Sequence, residues 1–151
     1  MSNNDIQQQT TVNIQEKANL IWAIADKLVG VYKPHEYGNV ILPMCVIKRF
    51  EDTLAPTKEK VLATNEKLDK DGIVVKKGFL ESAAEQKFYN LSPFDFQKLL
   101  NDPENIKVNF ESYLNHFSDN VIDIIHRMDF DREIEKMADN GVLYLVIKEF
   151  C

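Results

Sequence analysis

The sequence lacks the short motifs that mark most catalytic and cofactor-binding sites. No two of its five glycines lie close enough together to form a nucleotide-binding loop, and no GxGxxG motif is present. It has no CxxC or HExxH pair, which argues against a dedicated zinc site. The GxSxG turn that carries the nucleophile of many hydrolases is absent too. The motifs therefore point away from a reaction centre within the chain.

Cysteines and long apolar runs are also scarce. The two cysteines, Cys45 and Cys151, are too few for a disulfide framework, so the sequence favours a reducing, cytoplasmic location. The polar first residues contain no apolar segment typical of a signal peptide. The longest apolar run, Val40 to Ile47, has eight residues, against the roughly 20 that a membrane-spanning helix requires. The sequence therefore predicts no membrane partner.

An excess of positive charge is missing as well. The chain has 18 Lys and Arg residues against 24 Asp and Glu, a formal net charge of −6, which argues against a free-standing DNA-binding module. Residues 101–140 hold ten acidic and four basic side chains, whereas residues 48–87 hold eight acidic and nine basic. We therefore expect any contact with phosphate to come from the balanced segment, residues 48–87.

Two basic pairs stand out in that balanced segment. Lys48-Arg49 and Lys76-Lys77 are the residues that we expect to contact DNA phosphates or a protein partner. Most lysines of the segment, Lys58 among them, alternate with acidic residues. This alternation is typical of a solvated helix whose ion pairs join successive turns.

The segment from Leu20 to Asp52 predicts two helices joined by a tight turn. The first helix has a buried apolar stripe at helical spacing, formed by Ile21, Ile24, Ala25 and Leu28. Gly30 is placed to cap this helix, and Pro34 to begin the next. The second helix, from Tyr37 to Phe50, is apolar on nearly every side, which predicts a buried central helix. Pro43 inside it predicts a kink.

The remaining pattern predicts an all-α fold, a compact multi-helix bundle around this kinked central helix. Glycine and proline are few and widely spaced, which favours long helices over a many-stranded sandwich. Further helices are predicted over Lys58 to Leu68, from Ser92, over Asn105 to Phe117, from a Ser118-Asp119 cap with Val121, Ile122, Ile124, Ile125 and Met128 facing inward, over Arg132 to Ala138, and over the final VLYLVIKEF. Ile73 to Gly78 is predicted to be a short extended stretch.

The two ends of the chain differ in character. Residues 1–12 are polar and are predicted to form a flexible tail, with the first helix beginning near Asn13 and Glu16 as a capping pair. Trp22 is interpreted as a core residue in preference to an exposed anchor for a partner. Residues 13–151 form the predicted domain, and its abrupt end on VIKEFC suggests truncation before a further domain.

Histidine chemistry is the weakest of the functional hypotheses. His116 and His126 flank a helix–turn junction and could serve a small hydrolase together with nearby carboxylates. Structural or solvent-facing roles are the preferred interpretation of both side chains. The residues alone thus leave a binding or scaffold role as the better hypothesis.

Several stretches in the same order resemble a known family. They are IWAIADKLVG, YGNVILPMCVIKRFED, LAPTKEKVL, FYNLSPFDFQKLLNDPENI, YLNHFSDNVIDII, FDREIEK and LYLVIKEF. Together they resemble the N-terminal helical domain of the modification subunit, a DNA adenine methyltransferase, of type I restriction–modification systems. The similarity runs from about Leu20 to Phe150.

The resemblance implies a non-catalytic domain for assembly and DNA clamping. In the family this domain precedes a catalytic domain that uses S-adenosylmethionine to methylate adenine N6, and the motifs of that second domain are absent here. We therefore expect this chain to bind no cofactor itself and the full-length parent to bind S-adenosylmethionine. The implied partners are the specificity subunit, a second modification subunit, and DNA in the assembled complex. The alternative is a free-standing helical DNA-binding or regulatory protein.

Overall fold

The computed structural model describes residues 3–151, and the described chain is built from helices and turns. Its α-helices in chain order are α1 (Asn3–Leu28), α2 (Gly38–Leu54), α3 (Lys58–Lys70), α4 (Lys77–Ala84), α5 (Phe96–Leu99), α6 (Ile106–Asn115), α7 (Asp119–Arg127), α8 (Phe130–Asp139) and α9 (Leu143–Glu149). Short 3₁₀ turns precede α2, α3 and α6. No β-strand occurs within residues 3–151, only two isolated bridges. The all-α prediction is confirmed.

One continuous apolar core joins the helices, and aromatic side chains fill its centre. Phe96 of α5 is fully buried, and its ring meets the rings of Phe110 and Tyr113 edge to face, with centroids 5.9 and 6.2 Å away. The ring of Phe150 lies 5.9 Å from it on another side. Such edge-to-face pairs add to the free energy gained from burial. The contacts of Phe96, the first residue of α5, thus hold this four-residue helix in the core.

The apolar helix α2 is buried over most of its surface and is exposed along a narrow face. Val40, Met44 and Ile47 are fully buried, and Pro43 is buried inside the helix as well. The predicted burial of this helix is confirmed on most sides, with the exception of Leu42, which is 67% exposed. Apolar composition alone does not show which face has a neighbour, and α2 packs mainly against α8. The kink at Pro43 stays a prediction.

The last helix, α9, confirms the prediction for the apolar segment at the end of the chain. It contacts four helices, α1, α5, α6 and α8. Leu143, Val146 and Ile147 are buried in these contacts. The final helix therefore shares with α2 the role of a central packing element.

The first helix is longer and more exposed than the sequence predicts. It begins at Asn3, so the predicted start at Asn13 is wrong, and residues 3–12 form its first turns. Residues 1–2 of the predicted tail lie outside the described residues, and the flexibility of the tail stays a prediction. Trp22 is 71% exposed and Ile21 is 44% exposed, so neither belongs to the core as predicted. The helix meets the core mainly through Ile24, Ala25 and Leu28.

Local hydrogen bonds explain two further differences from the sequence prediction. The helix predicted to start at Ser92 instead starts at Phe96. Asp95 caps this helix, because its carboxylate accepts a hydrogen bond from the Lys98 backbone N–H at 2.7 Å. The Ser92 hydroxyl instead accepts the Phe94 N–H within the preceding turn. Helix α4 was not predicted at all, and its start at Lys77 cuts short the stretch predicted to be extended.

The turns and the middle helices largely follow the prediction. Gly30 adopts a φ of 86° after α1, the left-handed conformation predicted for a helix cap. All five predicted apolar positions of the sixth helix and its end are buried, namely Ile106, Phe110, Tyr113, Leu114 and Phe117. In α7, however, Ile124 is 41% exposed and does not face inward as predicted.

Replacing Phe96 with alanine should lower the free energy of unfolding by about 3–5 kcal/mol, because it empties the centre of the aromatic cluster. Urea unfolding followed by circular dichroism measures this loss. The matched control is Phe79→Ala, whose ring is 54% exposed and whose loss should cost less than about 1 kcal/mol. Equal losses in the two variants would contradict the assigned core.

Candidate functional site

Lys48, the first of the predicted basic residues, is held inside the protein by acidic neighbours. Its Nζ lies 3.0 Å from Glu51 Oε2 and 3.3 Å from Asp52 Oδ1, and 5.2 Å from the centre of the Phe96 ring. Burial opposes the charged ammonium, but the two carboxylates outweigh it and raise the pKa of Lys48. Lys48 is therefore committed to contacts within the domain.

Lys76, in the second predicted pair, is also engaged in contacts within the domain. Its Nζ pairs with the Asp69 carboxylate and donates to Asn65 Oδ1 at 3.1 Å. These contacts tie the chain entering α4 to α3, and they leave only about a quarter of the Lys76 side chain exposed.

Arg49 and Lys77 are the exposed members of the two pairs. The Lys77 side chain is 79% exposed, and its nearest carboxylate, that of Glu81, is 4.0 Å away. Arg49 is exposed, and within residues 3–151 its guanidinium forms no ion pair. The structure thus separates each predicted pair into one internal lysine and one exposed cation.

A polar cleft of about 340 Å³ opens beside Lys48. Its lining comes from α2, the start of α3, residues 90–98, α6 and the chain end at Cys151. Glu51 organises the cleft, because its Oε1 accepts the Phe96 backbone N–H at 2.8 Å and the Tyr113 hydroxyl at 3.0 Å. Burial and the Glu51 carboxylate both raise the pKa of Tyr113, so its hydroxyl stays protonated and donates.

Lys58, the first residue of α3, lies in this cleft without a carboxylate partner. Its Nζ donates to Asn90 Oδ1 at 2.9 Å and lies 5.7 Å from the centre of the Tyr113 ring. No ion pair to it is found among the described residues. Burial is the main reason that the pKa of Lys58 falls to about 8. The structure therefore corrects the assignment of Lys58 to a solvated face.

Asn90 completes this arrangement and was not singled out from the sequence. It is buried, its side-chain N–H₂ donates to the Tyr113 carbonyl at 3.0 Å, and its Oδ1 accepts the Ser92 N–H at 2.7 Å as well as Lys58. Its partners lie 32, 23 and 2 residues away along the chain. No local pattern could have revealed the two long-range contacts, those with Lys58 and Tyr113.

The two histidines of the hydrolase hypothesis have different partners. His116 Nδ1 lies 2.6 Å from the Ser112 carbonyl, whereas His126 Nδ1 lies 3.7 Å from Asp131 Oδ2. The small pocket at His126, about 10 Å³, includes Asp131 but not His116. The described residues contain no cluster of His, Cys, Asp or Glu that could hold a metal ion. The geometry does not bring the histidines together in one site.

A group of exposed apolar side chains on α1 forms a second candidate surface. Ile21 and Trp22 lie seven and eight residues after Ile14, about two helical turns, which places all three on the same side of the helix. We call this set the α1 stripe. Large apolar side chains exposed together on one face are typical of a surface that another protein covers. In the part of the chain that the structure describes, no helix is both long and apolar enough to cross a bilayer.

Comparison with known protein families places a match over most of the chain. A family model described as the HsdM N-terminal domain matches residues 17–150. No curated protein and no solved structure matches the chain. The matched range includes every residue that lines the polar cleft except Cys151, both exposed cations and the C-terminal part of α1, but not residues 3–16.

Replacing Lys58 with methionine should raise the free energy of unfolding near pH 7 by about 1 kcal/mol. The buried ammonium is costly there, and Asn90 keeps its bond from Ser92. The pKa of Lys58 is about 8 in the folded protein, against an ordinary value of 10.5 that applies to the unfolded chain. Between pH 8 and pH 10.5 the unfolded chain therefore binds more protons than the folded protein. The stability of the unmodified protein then rises with pH, and the advantage of methionine should disappear near pH 10.5.

Urea unfolding of both proteins near pH 7 and near pH 10 measures this difference. Lys60→Met is the matched control, because Lys60 is exposed and its replacement should have a small effect that does not depend on pH. An advantage of Lys58→Met that is the same at both pH values would contradict the assignment.

Proposed function

The chain belongs to the family of N-terminal domains of type I restriction–modification modification subunits, and we propose that it is the non-catalytic assembly and DNA-clamping domain of such a DNA adenine-N6 methyltransferase. The observation that carries this proposal is the α1 stripe, an exposed apolar face on a helix whose other end is anchored in the core. A domain that joins subunits needs such a surface, and aromatic anchors such as Trp22 contribute most to binding.

The proposed partners are the other subunits of a type I complex, the specificity subunit and a second modification subunit. Exposed tryptophan is enriched at the energetic centres of interfaces because it buries a large area with little loss of entropy. The α1 stripe is also attached firmly to the domain, since it lies on a helix that is anchored in the core through Leu28. Assembly on DNA also implies a cytoplasmic location.

The proposed DNA contact is small and electrostatic. Arg49 and Lys77 are exposed, whereas Lys48 and Lys76 are held by carboxylates. The acidic excess of residues 101–140 would repel phosphate, so that region is proposed to face solvent or protein. A few phosphate contacts suit a domain that helps to enclose DNA while another subunit reads its sequence.

S-adenosylmethionine is proposed to bind elsewhere in the parent protein. The residues of this chain do not fit that cofactor, because its glycines are far apart and residues 3–151 contain no strand from which a cofactor loop could project. The chemistry of methyl transfer is therefore assigned to the catalytic domain expected in the parent.

Replacing Trp22 with alanine in the modification subunit should weaken its association with the other subunits roughly 30-fold, the effect of losing an interface anchor worth about 2 kcal/mol. Calorimetric titration with the specificity subunit, and sedimentation of the complete complex, measure the two contacts separately. The control is Leu42→Ala, an equally exposed apolar side chain on α2. Unchanged affinity for both partners would contradict a role for the α1 stripe.

The double variant Arg49→Ala, Lys77→Ala should reduce the salt dependence of DNA binding by the assembled complex. Each lost phosphate contact lowers the slope of log K against log salt by about 1, so a change of about 2 is expected. The control Lys70→Ala, Lys107→Ala removes the same charge from two lysines outside the predicted pairs, and it should leave the slope unchanged. An unchanged slope in the first variant would contradict the DNA contact, and strong salt-dependent binding by the isolated chain would favour the free-standing alternative.

A further inference from the structure

Lys48 and Lys58 line the same cleft but have opposite surroundings. Lys48 is neutralised by Glu51 and Asp52, whereas Lys58 is bonded only to the neutral Asn90 amide and faces the Tyr113 ring. An ammonium ion has three donors, and this one has a single acceptor within hydrogen-bond distance. Two of its three donors therefore have no acceptor among the described residues, and only the face of the Tyr113 ring and the more distant carboxylates favour the positive charge.

The helix that begins at Lys58 acts in the same direction. The amino end of α3 carries a partial positive charge, which disfavours a second positive charge within the first turn. The charged and titratable groups that line the cleft are Lys48, Glu51, Asp52, Glu59, Asp95, Lys98, Tyr113 and Cys151. Lys98 repels the Lys58 ammonium while Glu51 and Asp95 favour it, but burial outweighs them and the pKa of Lys58 falls to about 8.

We propose that Lys58 is a nucleophilic amine that reacts covalently with small uncharged carbonyl compounds entering the cleft. The lone pair of Nζ attacks the carbonyl carbon, and the resulting carbinolamine loses water. The carbonyl oxygen leaves in that water with two protons, both from the nitrogen in the net reaction, and a C=N bond remains. No oxidant, reductant or metal ion takes part in this step.

The shape and charge of the cleft define the class of electrophile. Its volume of about 340 Å³ admits a small molecule but not a folded partner. Four carboxylates and three lysines line it, so an anionic reagent meets repulsion and a cationic one is held by the carboxylates away from the amine. A small neutral aldehyde meets neither obstacle.

Reductive methylation with formaldehyde and dimethylamine–borane tests the proposal on the 151-residue chain. Peptide mass spectrometry gives the rate at each lysine, with Lys60 as the exposed reference and Lys48 as the reference within the cleft. At about pH 7.5, about a quarter of an amine of pKa 8 is neutral, against about 0.1% at a pKa of 10.5. Allowing for its lower basicity and for burial, Lys58 should react roughly ten-fold faster than Lys60.

The pH dependence separates reactivity from access. The advantage of Lys58 over Lys60 should shrink as the pH approaches about 10.5, because an ordinary lysine amine is half neutral there while an amine of pKa 8 gains little more. A rate at Lys58 equal to or below that at Lys60 at the lower pH overturns the proposal, and so does a Lys58 that stays unmodified at the higher pH. The Lys58→Arg variant should lose the fast-labelled peptide while the rates at Lys48 and Lys60 stay the same.

Discussion

The carboxylate of Glu51 joins parts of the chain that are far apart in sequence. One of its oxygens accepts hydrogen bonds from the Phe96 backbone and the Tyr113 hydroxyl, and the other accepts the Lys48 ammonium. The first of these bonds fixes the start of the short helix that places Phe96 at the centre of the aromatic cluster. A group with three donors aimed at it cannot be removed without leaving them unsatisfied in a partly buried place. The cleft is thus part of the construction of the core.

This construction explains why net charge is a poor guide to the surface. The chain is acidic, and some of its basic side chains, such as Lys48 and Lys76, form ion pairs within the domain. Others, such as Arg49 and Lys77, remain exposed, and Lys58 is neither paired nor fully solvated. Basic side chains thus have three different roles within one segment, and where each side chain lies decides which role it has.

The sequence predicted the helices well and their neighbours less well. Helical spacing was sufficient for Ile106 to Phe117, where the apolar face meets several helices, and the cap at Gly30 followed from local geometry. Trp22 was assigned to the core because spacing identifies an apolar face but not whether another element covers it. The environment of Lys58 depends on Asn90, and that contact joins residues 32 apart in a way no local pattern records.

The first helix is fixed at one end only. Every residue from Asn3 to Lys17 is exposed, whereas Ile24 and Leu28 are fully buried. At 1.5 Å per residue, the exposed part reaches about 20 Å from the core, and a stretch of that length is marginally helical when nothing packs against it. The helical order of this exposed part therefore depends on what packs against it. A protein that docks there would also determine how far α1 extends as a helix.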